Sequence, residues 1–173
     1  MSDERTSLIP GRNRRTLDDA EIRRATNMFL GLDGTVSTRY EGGKPTVCRI
    51  VRDEDGEPYA EIRFGEDIYP GDDVVAANAL LSLKAAAAHE LTHVYRWRDK
   101  QALPEEELIH IDEALTSLQA IQRYGHECSH AEIRELVSDA IQRLQLFVRE
   151  SRDGGEEVES QDTPSARPIV EGK

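Results

Sequence analysis

The chain has 173 residues, a length that suits one domain, and 38% of them are hydrophobic, which is enough to form a core. No apolar run approaches the roughly 20 residues of a membrane-spanning helix. The formal net charge of −12 argues against a protein that holds nucleic acid through clusters of Lys and Arg. We therefore expect neither a membrane nor a nucleic acid among the partners of this protein.

The two ends of the chain have the composition of disordered segments. Residues 1–15 and 152–173 are polar and charged, so they bury too little apolar surface to fold. We expect a disordered N-terminal arm, one domain over residues 16–151 and a disordered acidic tail. The first residues lack the apolar stretch of a secretory signal, and Cys48 and Cys128 do not form a spaced disulfide framework. Both features predict a cytoplasmic protein with reduced thiols.

The domain is predicted to begin with a helix. Thr16 followed by Asp19 resembles an N-cap with an acidic first turn, and Gly31 and Gly34 end the pattern. The apolar face between them is formed by Ile22, Ala25, Phe29 and Leu30.

A small antiparallel sheet is predicted next. Residues 47–51 and 59–64 alternate with the period of strands. Asp55-Gly56 between them supplies the positive φ angles of a tight hairpin, and Gly65 or Pro70-Gly71 closes the second run.

The second half of the chain predicts three helices. Asp72 or Asp73 can cap a long helix that reaches Arg98, and its Ala-rich middle has high helix propensity. Pro104 suits the first turn of the next helix, which runs to Tyr124. The apolar positions of that helix recur at helical spacing, as Leu108, Ile111, Leu115 and Leu118.

The last predicted helix starts at Ser129, which forms a capping box with Glu132. A stripe that we expect to be buried runs along it, formed by Ile133, Val137, Ala140, Leu144 and Phe147. Together with the sheet, these helices predict an α+β protein.

The long helix carries the sequence His89-Glu90-Leu91-Thr92-His93. Histidines four residues apart leave the same face of a helix, so both imidazoles can bind one metal ion. Glu90 is one position along, which keeps its carboxylate off the metal but close enough to take a proton from a metal-bound water. The pattern predicts two nitrogen ligands and a general base.

A catalytic zinc ion needs a third protein ligand and one open position. Glu113 is the best candidate, since it lies on the next helix in a stripe with Ile109, Thr116 and Ala120. A carboxylate among such small and apolar neighbours needs a partner, because burying it unpaired is costly.

Two other residues compete for this role. Asp99 stands six positions after His93, where metzincin-like motifs place the third ligand, but Arg96 replaces the glycine that those motifs require. His110 falls on a different part of the helix surface. Both rank below Glu113.

A second HExxH sequence occupies residues 126–130, from His126 to His130. Gly125 precedes it and the predicted cap at Ser129 lies inside it, so its two histidines fall on either side of a helix boundary. We predict that this copy is not a metal site, although His126 or His130 could approach the first copy as a hydrogen-bond donor.

HELTH at residues 89–93 and IDEALTSL at residues 111–118 resemble the HELTH and downstream NEA-type segments of thermolysin-like gluzincins. The resemblance implies an α+β, zincin-like fold with a small antiparallel sheet packed on a helical core. It implies one Zn²⁺ held by His89, His93 and Glu113, with Glu90 as the general base. It also implies that residues 59–69 form an edge strand to which an extended peptide adds.

The chain departs from the gluzincin pattern in two ways. Ser117 stands where the family has an Asp that orients a zinc-bound histidine, so Thr116 and Ser117 are the candidates for supporting the ligands. The large C-terminal subdomain that provides a transition-state-stabilising histidine has no counterpart after Glu113. Tyr124, together with His126 and His130, is a candidate for that role. In size and in element order the chain is similar to small ImmA-like bacterial metallopeptidases, which act on phage-type repressors.

The sequence thus predicts a zinc-dependent metallopeptidase that hydrolyses a protein substrate, with a regulatory protein as a further partner. The alternative is a zinc-binding interaction or regulatory module with little or no hydrolytic activity. A structural zinc site normally has four protein ligands, so a fourth ligand would favour the alternative.

Overall fold

The computed structural model describes residues 11–71, 77–103 and 106–156. Over these ranges the protein is α+β, as predicted, with four α-helices and one three-stranded sheet. The elements are α1 (Asp19–Leu32), β1 (Ser37–Tyr40), β2 (Val47–Arg52), β3 (Pro58–Phe64), α2 (Leu83–Arg98), α3 (Ile109–Tyr124) and α4 (His130–Glu156), with short 3₁₀ turns at Glu66–Ile68 and Glu106–Leu108. None of these helices combines the length and the apolar character needed to cross a membrane.

The sheet is mixed, which corrects the prediction of a purely antiparallel sheet. Its strand order is β1-β3-β2, with β2 antiparallel to β3 and β1 parallel to it. The hairpin turn between β2 and β3 contains Gly56 at φ 85° and imposes the antiparallel pair. The four residues of β1 add to the other edge of β3, a pairing that the sequence pattern did not reveal.

This strand order overturns the prediction that residues 59–69 form the edge that receives a peptide. β3 lies in the centre of the sheet, where Glu61 to Phe64 pair with β1 and Pro58 to Arg63 pair with β2. Residues 65–69 leave the sheet and form a 3₁₀ turn. The free edges of the sheet are therefore β1 and β2.

Helix caps account for several helix boundaries. Asp18, and not Thr16, caps α1, because its carboxylate accepts from the N–H groups of Ala20 and Glu21 and the Glu21 side chain returns a bond to the Asp18 N–H. The predicted capping box of Ser129 and Glu132 at the start of α4 is confirmed. α4 continues to Glu156, so the helix extends beyond the predicted domain end at residue 151.

α2 begins later than predicted. Ser82 is its N-cap and accepts from the N–H of Ala85. Asn78 has a φ of 57°, the left-handed region, which interrupts any helix through this position. Asp72 and Asp73, the predicted caps, lie outside the described residues, as does Pro104.

α2 is the central helix of the domain and packs against α1, α3, α4 and the sheet. Residues 85–88 are four consecutive alanines, none more than 7% exposed, and their small side chains let neighbouring elements approach closely. The HELTH motif therefore lies in the most enclosed helix of the described chain.

The N-terminal segment is anchored in this core, which moves the domain boundary upstream of the predicted residue 16. Arg12 is only 4% exposed, and its guanidinium donates to four main-chain carbonyl oxygens, those of Asp67, Ile68, Asn78 and Leu81. The side chain ties the 3₁₀ turn after β3 to the loop before α2. Composition placed residues 1–15 outside the core because a lone arginine in a polar segment gives no sign of burial.

We predict that Arg12→Ala lowers the free energy of unfolding by about 3–5 kcal/mol, because it leaves four buried carbonyls without their donor and a nearby carboxylate without a cation. The measurement is urea denaturation followed by circular dichroism. Arg14, which is exposed two residues away, provides the matched control. Equal midpoints for Arg12→Ala and Arg14→Ala would contradict the anchoring role.

Candidate metal centre

Three predicted ligands meet where α2 packs on α3. The Nε2 atoms of His89 and His93 are 3.2 Å apart. Glu113 places one carboxylate oxygen 3.1 Å from Nε2 of His89 and the other 3.4 Å from Nε2 of His93. Among the described residues, these three side chains form the one group of His, Cys, Asp or Glu able to share a metal ion.

The three side chains are close enough to share one zinc ion, since one ligand atom from each lies within 4.8 Å of the other two, in a triangle. Zinc bound at about 2.0–2.1 Å in tetrahedral geometry separates its ligand atoms by about 3.3–3.4 Å. The two imidazole nitrogens are 3.2 Å apart, close to that separation, and the two oxygens of Glu113 lie 3.1 Å from one nitrogen and 3.4 Å from the other. No fourth protein ligand joins the group within the part of the chain that the structure describes, which leaves one coordination position for water or substrate.

A buried ion pair fixes α3 against α2 so that Glu113 faces the histidines. Arg96 is 1% exposed and donates to the carboxylate of Asp112, 2.5 Å away, and to Gln119. Asp112 also accepts the N–H of Leu103 in the connecting segment. Because Asp112 immediately precedes Glu113, this contact sets the position of the third ligand along α2.

His89 is oriented by two polar side chains behind it. Its Nδ1 lies 2.8 Å from Oγ of Ser117, and that hydroxyl donates to Oδ2 of Asp139 at 2.5 Å. The Ser117 hydrogen is thus committed to Asp139, so Nδ1 of His89 is the donor in its bond to Ser117, and Nε2 is the atom that faces Glu113 and would bind a metal. Asp139, on α4, supplies the carboxylate that the gluzincin pattern places at position 117.

Thr116 performs the corresponding task for His93 over a longer distance. Its hydroxyl donates to the carbonyl oxygen of Asp112 and lies 3.5 Å from Nδ1 of His93. Thr116 and Ser117 therefore lie beside the two histidines that they were predicted to support. Sequence reasoning missed Asp139, because the residue lies 22 positions from Ser117 on a helix whose packing it could not supply.

Arg143 is a second α4 residue at the centre that the sequence analysis did not find. Its guanidinium lies 3.5 Å from the carboxylate of Glu113 and 3.4 Å from that of Asp139. Its side chain is 15% exposed. The four-residue spacing from Asp139 was the available signal, since it places both charges on one face of the helix.

Burial and neighbouring charges shift the pKa values of all three ligand side chains. Burial raises the pKa of Glu113, but the hydrogen bond from His89 and the charges of His89 and Arg143 lower it well below its usual range. Burial lowers the pKa of His93 to about 4. Burial also lowers the pKa of His89, but Glu113 outweighs that effect and raises it. Glu113 is therefore ionised and His93 neutral, the forms that bind a metal, and a bound cation would oppose the effect of Glu113 on the pKa of His89.

Glu90 lies beside the triangle and outside it. It is 9% exposed and lines a small cavity together with His89, Arg12, Asp67 and Asn78. Burial raises the pKa of Glu90 to about 7, and the charges of Glu113 and Asp67 contribute. A carboxylate with this pKa can both accept and return a proton near neutral pH, which is the property that a general base requires.

The rival third ligands point elsewhere. The Asp99 carboxylate lies 3.3 Å from Arg123, and His110 places Nε2 3.1 Å from Glu150 on α4. Neither belongs to the ligand group. Their ranking below Glu113 therefore agrees with the geometry.

The predicted transition-state donors are not at the centre. Tyr124 lies eleven residues beyond Glu113, about 16 Å along the helix axis, and its hydroxyl is buried near Tyr95. The side chain of His126 is 73% exposed and faces Glu127 in the turn between α3 and α4. His130 is the first residue of α4 and is exposed. The second HExxH sequence thus spans a helix boundary, as predicted, and forms no ligand group.

We predict that Glu113→Ala and His89→Ala abolish stoichiometric zinc binding, because each removes one of the three atoms of the triangle. Zinc is measured by elemental analysis after dialysis. The matched control is His126→Ala, which removes a histidine from the other HExxH sequence and leaves the zinc content unchanged. Zinc retained by Glu113→Ala would refute the ligand assignment.

Asp139→Asn tests the orientation of His89. We expect it to weaken zinc affinity by about 10- to 100-fold, because the amide no longer fixes the Ser117 hydroxyl as an acceptor for Nδ1 of His89. Competition with a chromogenic chelator measures the affinity. Ser138→Ala, one residue away on α4, is the control. Equal affinities in the two variants would show that Asp139 does not support the ligand.

Comparison with known proteins adds no family to this geometry. A scan against protein-family models, a search of the curated proteins and a search of the solved structures each found no match to the chain. The resemblance to gluzincins therefore stays a prediction from the HELTH sequence and the twenty-position spacing from His93 to Glu113.

Proposed function

We propose that this protein is a zinc-dependent metallopeptidase with a zincin-like fold, and that it hydrolyses peptide bonds of a protein substrate. The observation that carries the proposal is the combination of a three-atom ligand triangle with a buried glutamate that is adjacent to it and is not a ligand. Structural zinc sites normally use four protein ligands and need no such base. The alternative, an interaction module without activity, is therefore the second candidate.

The residues of the centre divide the chemical work between them. Zinc bound by His89, His93 and Glu113 would supply the Lewis acid that polarises a carbonyl and lowers the pKa of water. Glu90, whose pKa of about 7 results from burial, accepts a proton from the attacking water and returns it to the leaving amine. Asp139, acting through Ser117, keeps the His89 ring in one tautomer throughout.

Arg143 is suited to the role that Tyr124, His126 and His130 were predicted to fill. Negative charge develops on the carbonyl oxygen during hydrolysis, and a fixed cation nearby stabilises it. Among the described residues, Arg143 is the one permanent cation within 4 Å of a ligand carboxylate. Its contacts with Glu113 and Asp139 hold the guanidinium in place.

The edge strand β2 is the proposed site for an extended substrate. Next to the hairpin, the Asp53 N–H donates to the Glu57 C=O, so positions 53 and 57 form a hydrogen-bonded pair. Such pairs alternate along an antiparallel ladder, so the N–H and C=O groups of Cys48, Ile50 and Arg52 point away from β3. β2 also contacts α2, the helix that carries Glu90, and burial together with the charge of Glu90 raises the pKa of Cys48 to about 12. A peptide added to this edge would pass close to Glu90.

Glu90→Gln tests the proposal. We expect loss of hydrolysis by at least about 100-fold with zinc content unchanged, because the amide cannot accept the water proton. The assay incubates the zinc-loaded protein with a proteome-derived peptide mixture and identifies new amino termini by mass spectrometry.

The control is Glu127→Gln, which makes the same change in the other HExxH sequence and leaves cleavage intact. Two results count against the proposal. Full cleavage by Glu90→Gln would remove its general base, and no cleavage by zinc-loaded wild type would favour the interaction module.

A further inference from the structure

A face made of large apolar side chains lies on the outside of the α3 and α4 pair. Six residues form it, and each is between 37% and 52% exposed: Leu115, Leu118, Val137, Ile141, Leu144 and Val148. We call this surface the outer face. The sequence analysis predicted that Val137 and Leu144 would be buried, so their exposure corrects that prediction.

The contacts between the two helices set their register. Glu113 contacts Arg143 and Ser117 contacts Asp139. The residue numbers rise along α3 as they fall along α4, so the two helices are antiparallel. This register places Leu115 level with Ile141 and Leu118 level with Val137. The apolar residues of the two helices therefore lie at similar heights along the helix pair.

The outer face is turned away from the metal centre. Successive residues of an α-helix are rotated by about 100°, so Leu115 lies about 160° around α3 from Glu113. On α4 the residues 137, 141, 144 and 148 follow a spacing of four, three and four, which keeps them in one stripe. The stripe is rotated from Asp139 and Arg143, which face the centre.

The outer face lacks the charges that a water-facing helix surface normally has. Of the twelve residues from Val137 to Val148, only Asp139 and Arg143 are charged, and both are engaged at the metal centre. From residue 114 to residue 122, α3 has no charged residue. In a chain with 32% charged residues, a neutral two-helix surface indicates a surface that is covered.

Its size fits contact with a second copy. The six side chains expose on the order of 400 Å² of apolar surface, which is within the range of functional patches on single chains. Two copies joined through this face would remove about 800 Å² of apolar surface, and with a polar rim the total reaches the roughly 1,000 Å² that a specific interface needs. Two acidic chains repel each other, so a neutral face is where they can meet at least cost.

We propose that the outer face binds the outer face of a second copy, forming a two-fold symmetric dimer in which α3 and α4 of both chains make a four-helix layer. Both metal centres stay open in this dimer, because they lie on the opposite side of α3. The proposal does not depend on zinc or on hydrolysis.

Sedimentation velocity on the full chain tests the dimer at concentrations from about 1 to 200 μM, a range wide enough to include weak association through a small interface. We expect wild type to reach twice the 19.5 kDa of one chain. Ile141→Glu should remain a monomer. Its dissociation constant should rise at least about 100-fold, because the dimer would bury a carboxylate.

Leu30→Glu is the matched control, because Leu30 on α1 is 51% exposed and Ile141 is 52% exposed. It should dimerise like wild type. Far-ultraviolet circular dichroism checks folding, and Ile141→Gln replaces Ile141→Glu if the charged variant unfolds. A monomeric wild type at 200 μM overturns the proposal, as does a folded Ile141 variant that still dimerises.

Discussion

Two imidazoles and a carboxylate lie within 3.4 Å of one another on two helices, and the rest of the structure serves that arrangement. The histidines share a helix, so their spacing follows from helical geometry alone. Glu113 does not, and its place depends on how α3 rests on α2. The buried Arg96–Asp112 pair sets that contact one residue before the ligand. An ion pair is a sensible device here, because its directed bonds fix a register that apolar packing leaves free to slide.

Around the triangle the charges are arranged in opposing pairs. Arg143 lies between Glu113 and Asp139, and Arg12 shares a cavity with Glu90 and Asp67. A bound cation would add positive charge to the first group. The carboxylate of Glu113 is therefore held ionised, while burial raises the pKa of Glu90 to about 7. Both carboxylates are buried, but their pKa values differ because a hydrogen bond and nearby cations outweigh burial at Glu113, whereas burial dominates at Glu90.

α4 has a larger part than its sequence suggested. Read as a string, it is an amphipathic helix with a capping box. In the fold its inner side brings Asp139 and Arg143 to the centre, and its outer side presents Val137, Ile141 and Leu144. The same helix thus completes the metal centre and forms the surface proposed for self-association.

The sequence by itself determined the α+β class, the HELTH helix and the choice of Glu113, because these depend on helical periodicity and on residue chemistry within single elements. It also distinguished the two HExxH copies, since Gly125 and Ser129 encode a helix boundary locally. Only the tertiary structure decided the parallel strand β1, the burial of Arg12 and the presence of Asp139 and Arg143. Each of these depends on contacts between residues at least 20 positions apart, and such contacts leave no periodic trace in one chain.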